Sequence, residues 1–374
     1  MKREGISLGK LLGIPLGLDY SWFLIFVLLT WSLAAVYYPD EFRNWPIAEY
    51  WILGAVTTVM LFVSVLLHEL GHSLVAIRYK LPVRRITLFI FGGMSEIGEE
   101  PHTATSQFWV SLAGPLVSFA LAGLFGLLQP VLAASAPLLV MDKYLVYINA
   151  ALGIFNLIPG LPLDGGGVFL AIVWGITHNQ RRATLLAVAL GRFIAYAFII
   201  VGVWQVFEGN WINGLWIGFI GWFLVSAAAG EAKQLKTKAL LGGHKVTDAM
   251  SRSYTAVPAD TTLQQMVDDH VLGQGRRSFI VEQDGKVVGL LTLHHIKEVA
   301  RDDWWSTTAA QVMIPADKII RIQPDEELWP ALQEMDRDGV NQLPVMTDGH
   351  IEGMLTREDL ISYLRTLEEI GSTR

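Results

Sequence analysis

The 374-residue sequence contains no cysteine. That absence excludes disulfides, thiolate metal ligands and cysteine nucleophiles, and it removes the usual marker of redox compartment. A basic, nucleic-acid-binding signature is also missing. The net charge is −7, the tail is acidic, and no basic patch is interleaved with aromatics, so no nucleic-acid partner is expected. Residues 1–20 hold Lys2, Arg3 and Lys10 among scattered Gly and Leu, without the apolar stretch and small-residue cleavage site of a signal peptide.

What is abundant is apolar. Hydrophobic residues make up 52% of the chain and 13 residues are Trp, whereas soluble globular chains average about 45–50% apolar even with Gly counted. The excess falls before residue 230, in runs long enough to cross about 30 Å of hydrocarbon. The pattern predicts a polytopic α-helical membrane protein of about six transmembrane helices, over 22–36, 51–77, 108–128, 144–158, 185–207 and 215–229, with a short apolar piece at 168–176. The first run ends in Tyr37-Tyr38-Pro39-Asp40, which reads as an interfacial belt on a retained span. Arg78, Lys80, Arg84 and Arg85 follow the second span, and Arg181-Arg182 follow the fourth. Positive charge marks the cytoplasmic side, so six crossings of the cell membrane leave both termini cytoplasmic.

Composition divides the chain into a membrane domain at 1–230, a linker at 231–243 and a soluble α+β domain at 244–374. The last domain contains a repeat with a period of 64: 275–292 aligns with 339–356, sharing an Asp-Gly turn (Asp284-Gly285, Asp348-Gly349), a later Gly (Gly289, Gly353) and a Leu-Thr pair. Each copy reads as helix, strand, turn, strand and helix, and two copies can close one shared core. In the membrane domain, the β-rich stretch 85–94 is too short to span. It predicts a hairpin at the membrane face, with Gly92-Gly93 at a turn and an edge able to pair with an extended peptide. Ser111-Leu-Ala-Gly-Pro115 supplies small residues for close helix packing.

Chemistry concentrates in Leu66-Leu-His-Glu-Leu-Gly-His-Ser73. His-x-x-x-His on a helix puts His68 and His72 one turn apart on one face, the spacing of two zinc ligands, with Glu69 beside them as a general base. A charged group at the middle of a span costs about 2.5–3.5 kcal/mol, so these side chains need something to bind. The helix places His72 about 10 Å and His68 about 16 Å from its cytoplasmic end, within reach of water. A third ligand is required. Asp164 is the best candidate, an acid in the broken backbone Asn156-Leu-Ile-Pro-Gly-Leu-Pro-Leu-Asp-Gly-Gly-Gly167 on the same membrane side; a capping role before the glycines is its bland alternative. Such a site suits amide hydrolysis and needs a donor for the developing oxyanion. Asn156 is either that donor or a tie for the irregular backbone.

These motifs resemble the site-2 protease family of intramembrane zinc metalloproteases, in the subgroup with a tandem cystathionine-β-synthase (CBS) domain. Leu67-His-Glu-Leu-Gly-His72 resembles the family's zinc helix and the 156–166 segment its third-ligand motif, with Phe89-Ile-Phe-Gly-Gly93 and 111–115 between them. The resemblance implies one zinc per chain on His68, His72 and Asp164, with Glu69 as catalytic base and Asn156 assisting the intermediate. It also implies cleavage of transmembrane segments in single-span regulatory membrane proteins. The tail resembles two CBS motifs, at about 246–300 and 309–368. In that family a Thr/Ser-x-x-Asp element holds the ribose of an adenine nucleotide; Thr356 and Asp359 match it, whereas Thr292 is followed by His295. At most one nucleotide is therefore expected. The repeat holds no convergent nucleophile and base, so regulation or homodimerisation is its expected role. The rival reading is a CBS-regulated transporter or channel, which uses broken helices but gives the adjacent His-Glu and distant Asp no role.

Overall fold

The computed structural model describes residues 5–347 and 350–371. The chain divides after Lys233 into two compact units. The first opens with strands β1 (Ile6–Leu11) and β2 (Ile14–Leu18), followed by helices α1 (Ser21–Ser32) and α2 (Tyr38–Glu41), joined through a π turn at Leu33–Tyr37. Next come α3 (Ile47–Arg78), strands β3 (Val83–Phe89) and β4 (Gly92–Ile97), then α4 (Ala104–Leu132), α5 (Ala136–Asn156), α6 (Asp164–Thr177), α7 (Gln180–Phe207) and α8 (Trp211–Leu241).

Among the described residues, six helices are long and apolar enough to cross a membrane: Ser21–Glu41, α3, α4, α5, α7 and α8. The short helix α6 is about 21 Å long at 1.5 Å per residue, less than the hydrocarbon thickness. Local signals set the ends. Thr103 caps α4 in a box with Ser106, and the Asn179 side chain caps α7 by accepting from the Arg182 amide at 2.9 Å. Lys80, in left-handed backbone at φ 64°, turns the chain out of α3 into β3. The charged stretch 231–241, expected as part of a linker, is the last part of α8.

The hairpin expected near 85–94 is present as β3 and β4, but it turns at Ile90-Phe91 rather than at Gly92-Gly93, which pair within β4, and it belongs to a larger sheet. The order is β1-β2-β3-β4, with β2 and β3 parallel through Leu16↔Ile86, Gly17↔Thr87 and Leu18↔Leu88. The expectation of a free peptide-pairing edge along 85–93 is corrected accordingly. Both edges of β3 are taken, by β2 and β4, and among the described residues the free edge beside the hairpin is that of β4. Ile14 and Ile86 bury against Leu70, with Leu66 and Leu67 around them, which fixes the sheet on α3. On another side α3 meets α4 closely: a Cβ at Gly71 would lie 2.8 Å from Val117 Cγ2 and 3.1 Å from the Ala113 carbonyl oxygen.

The second unit contains α9 (Val246–Ala249), β5 (Ala256–Pro258), α10 (Leu263–Met266), β6 (Ser278–Gln283), β7 (Lys286–Thr292), α11 (Leu293–Glu298), α12 (Ala309–Val312) and β8 (Ile314–Pro315). It closes with α13 (Leu328–Asp338), β9 (Gln342–Thr347), β10 (His350–Thr356) and α14 (Arg357–Gly371). The repeat is visible in the pairing. Gly289↔Pro315 joins β7 to β8, in the segment before the second copy, and the single bridge Ser251↔Met354 joins β10 to the segment before the first, so the two copies are tied to each other in both directions. Asp284 and Gly285 turn the first hairpin at φ 52° and 74°, the geometry a two-residue Asp-Gly turn supplies. The matching turn expected at 348–349 lies outside the described residues.

Candidate metal centre

Helix α3 places His68 and His72 on one face, where they are 4% and 8% exposed. Each ring is held by its Nδ1. That of His72 lies 2.6 Å from the Val110 carbonyl oxygen and that of His68 lies 2.8 Å from Ser118 Oγ, both partners on α4. A carbonyl oxygen only accepts, so Nδ1 of His72 carries a proton, and in the neutral ring that would bind a metal Nε2 presents a lone pair. Gly114 of the small-residue segment makes room for this pair, since a Cβ there would overlap Nε2 of both rings.

Asp164 is the first residue of α6. Its Oδ2 lies 3.1 Å from His68 Nε2 and 3.3 Å from His72 Nε2, and the two Nε2 atoms are 3.2 Å apart. The donor set fits zinc. A tetrahedron with bonds of about 2.0–2.1 Å has edges of about 3.3–3.4 Å, and imidazole nitrogen and carboxylate oxygen are ordinary zinc ligands. With the His72 proton on Nδ1, its Nε2 and the carboxylate face each other as two acceptors, an arrangement that a cation stabilises. Among the described residues this is the one group of three His, Cys, Asp or Glu side chains placed to hold a metal. His102 instead pairs with Glu99 in the open at 3.4 Å, and His178 ends α6 in left-handed backbone at φ 54°.

The irregular backbone before Asp164 explains how an acid reaches two buried histidines. Helix α5 stops at Asn156, and the connection bonds to itself and to α7 through Gly160 N to Ile158 O (2.8 Å), Leu163 N to Gly160 O (3.0 Å) and Leu161 N to Ala187 O (3.2 Å). Side chains at Gly165 or Gly166 would overlap the backbone of 157–161, so the glycines let α6 begin in contact with the connection. Asn156 is half-buried in the last turn of α5, and its amide has no hydrogen-bond partner among the described residues. It lies outside the group of three ligand atoms.

Glu69 is half-buried and faces β4. Its Oε2 accepts from Ser95 Oγ at 2.8 Å. Ser95 and Ser118 do not stand out in the sequence, because a serine in a polar loop or in an apolar span carries no periodic or charge signal. Gly114, within the small-residue segment 111–115, signals only close packing there.

In the second unit, a cleft of about 780 Å³ lies between the two repeats and is lined by Thr292, His295, Thr356 and Asp359. Asp359 Oδ2 accepts from the Thr356 amide at 2.9 Å and its hydroxyl at 2.6 Å, closing a capping box on α14. His295 occupies the equivalent place in the first copy, where the Thr292 amide donates to its Nδ1 at 3.3 Å. The local fold is therefore conserved between the copies while the chemistry differs. Arg276 and Arg277 also line the cleft, and their counterparts 64 residues on are the uncharged Val340 and Asn341.

The family model described as Peptidase family M50 matches residues 56–138 and 131–200, and that described as CBS domain matches 246–302 and 309–366. A Mycobacterium tuberculosis protein named zinc metalloprotease Rip3 is 33% identical over 363 residues, covering 96% of this chain and 92% of that one. A Synechocystis protein named zinc metalloprotease sll0528 is 34% identical over 374 residues, covering 97% and 96%. Among solved structures, the site-2 protease from Methanocaldococcus jannaschii aligns with a TM-score of 0.43 at 27% identity, over 61% of this chain and 95% of that one.

Proposed function

Because the chain belongs to peptidase family M50, the site-2 protease family of zinc metalloproteases, we propose that this intramembrane protease cleaves transmembrane segments of single-span regulatory membrane proteins. The observation that carries the reading is the convergence of His68, His72 and Asp164, with ligand atoms 3.1–3.3 Å apart, between helices long enough to span a membrane. Zinc held by these three would polarise the scissile carbonyl and lower the pKa of water. Glu69 takes the proton of the attacking water and passes it to the leaving amine. Asn156, with its amide otherwise unpartnered, donates to the developing oxyanion. The substrate must be unwound, since an intact helix ties up its carbonyls in i to i−4 bonds. Pairing with the free edge of β4 holds it extended beside Glu69.

The remaining assignments follow from this reading. The soluble domain at 244–374 lies in the cytoplasm with both termini and regulates the protease or pairs two chains as a homodimer. One adenine nucleotide binds in its cleft, with the ribose at Thr356 and Asp359 and the phosphates toward Arg276 and Arg277. The transporter or channel alternative finds no support in the family to which the chain belongs.

Reconstitution tests the reading. Full-length protein in lipid vesicles, given a single-span substrate, should release fragments whose new ends map inside the substrate's apolar segment. A strong chelator should stop cleavage and added zinc restore it. Cuts confined to substrate outside the bilayer would refute the assigned substrate class.

A further inference from the structure

Strand β4 presses two alternate residues, Gly93 and Ser95, onto the same side chain. Residues two apart on a strand share a face, and here that face meets Glu69. A Cβ at Gly93 would overlap Glu69 Cγ and lie 3.0 Å from Cδ and 3.1 Å from Oε1, so the stem of the side chain rests on bare backbone. Ser95 Oγ donates at 2.8 Å to Glu69 Oε2 and lies 3.1 Å from the Glu69 carbonyl oxygen. Ser73, one turn along α3, donates to Ser95 Oγ at 3.2 Å. A hydroxyl has one proton to give, so the donor from Ser73 leaves the Ser95 proton directed at Glu69. Oε1 has no hydrogen-bond partner among the described residues.

We propose that Ser95 is the positioning residue for Glu69. It holds Oε2, and thereby keeps Oε1 as the oxygen that exchanges the proton. The inference rests on the reading of Glu69 as the base. It adds where the base gets its orientation: from the strand whose free edge takes the substrate, so that base and scissile bond are placed by one element. The need is physical. A glutamate has three rotatable bonds, and a displacement of about 1 Å in a reacting group costs on the order of 100-fold in rate. Among the described residues, the Ser95 hydroxyl bonds to Glu69 and Ser73 and to none of the proposed metal ligands, so its loss separates alignment from metal retention.

The test uses full-length protein in vesicles with a single-span substrate and reads kcat, KM and zinc per chain for Ser95→Ala, Ser95→Thr, Glu69→Gln and the Ser95→Ala/Glu69→Gln pair. Ser95→Ala should lower kcat by about 10–100-fold, the usual effect of losing a partner that orients a metal-site group, with KM moving less than about twofold and zinc unchanged. Ser95→Thr, which keeps the hydroxyl, should recover most of kcat, and the double variant should be no slower than Glu69→Gln. Normal turnover in Ser95→Ala overturns the proposal, as does a loss explained by KM or by zinc, or a Thr variant as slow as the Ala variant. If Glu69→Gln itself turns over normally, the reading of Glu69 as base fails first; if it is inactive while Ser95→Ala is normal, only the positioning role of Ser95 is lost.

Discussion

Gly114 of α4 lies so close to Nε2 of His72 that a Cβ on it would overlap that nitrogen. His68 Nε2 meets the same obstacle. On helix propensity alone Gly→Ala should stabilise α4 by about 1 kcal/mol, so the two effects have opposite signs. Gly114→Ala is expected to insert and retain its helix content while zinc per chain and cleavage fall together by at least about tenfold. Normal zinc by elemental analysis would remove Gly114 from the metal centre.

Asn156 makes a narrower prediction. Removing one oxyanion donor costs about 100–1000-fold in kcat. Asn156→Ala should show that loss with zinc retained and KM little changed. A loss of folded, membrane-inserted protein would assign Asn156 to tying down the backbone at the end of α5.

Much of this site was legible in the sequence, for reasons that can be named. His68 and His72 are four residues apart in an apolar helix, and Asp164 stands in a segment whose prolines and glycines forbid a continuous span; both are local signals. The two N-terminal strands are not legible there. Ile6–Leu11 and Ile14–Leu18 are short and interrupted by Gly or Pro; they pair with each other, and only Ile14–Leu18 finds a partner seventy residues on, at Leu16↔Ile86. Pairing at that separation leaves no trace in a local window. The same limit hid Ser95 and Ser118, whose importance lies only in what they touch.

Membrane orientation is tested by tags in the turns 42–46, 133–135 and 208–210, which join successive spans. All three should report the side opposite a tag on the C-terminus, because the basic clusters at 78–85 and 181–182 lie at the other ends of those spans. A cytoplasmic signal from 208–210 would contradict the proposed topology.

The boxes that open α11 and α14, Thr292 with His295 and Thr356 with Asp359, predict different responses to pH and nucleotide. Burial lowers the pKa of His295, Glu298 opposes that shift and His294 adds to it. With the folded pKa below the unfolded one, the unfolded state binds more protons, so this contribution to stability is present above about pH 6.5 and is lost as pH falls through the folded value. Protonation also removes the acceptor for the Thr292 amide. Melting of this unit should therefore drop between pH 7 and 5, and His295→Gln, which keeps an acceptor in the box, should flatten that drop. Calorimetric titration with an adenine nucleotide should be weakened far more by Asp359→Asn than by His295→Gln, because a carboxylate can accept from both ribose hydroxyls. Equal losses would contradict the one-site reading.

If this chain hydrolyses peptide bonds inside the membrane with Glu69 as base, Glu69→Gln must stop the chemistry and spare the metal site. The amide keeps the size of the side chain and an acceptor for Ser95, but it cannot take a proton from water. The variant, reconstituted with a single-span substrate, should hold as much zinc as the native protein, co-purify with intact substrate and release no fragment. Near-native release of fragments with zinc retained would contradict the mechanism.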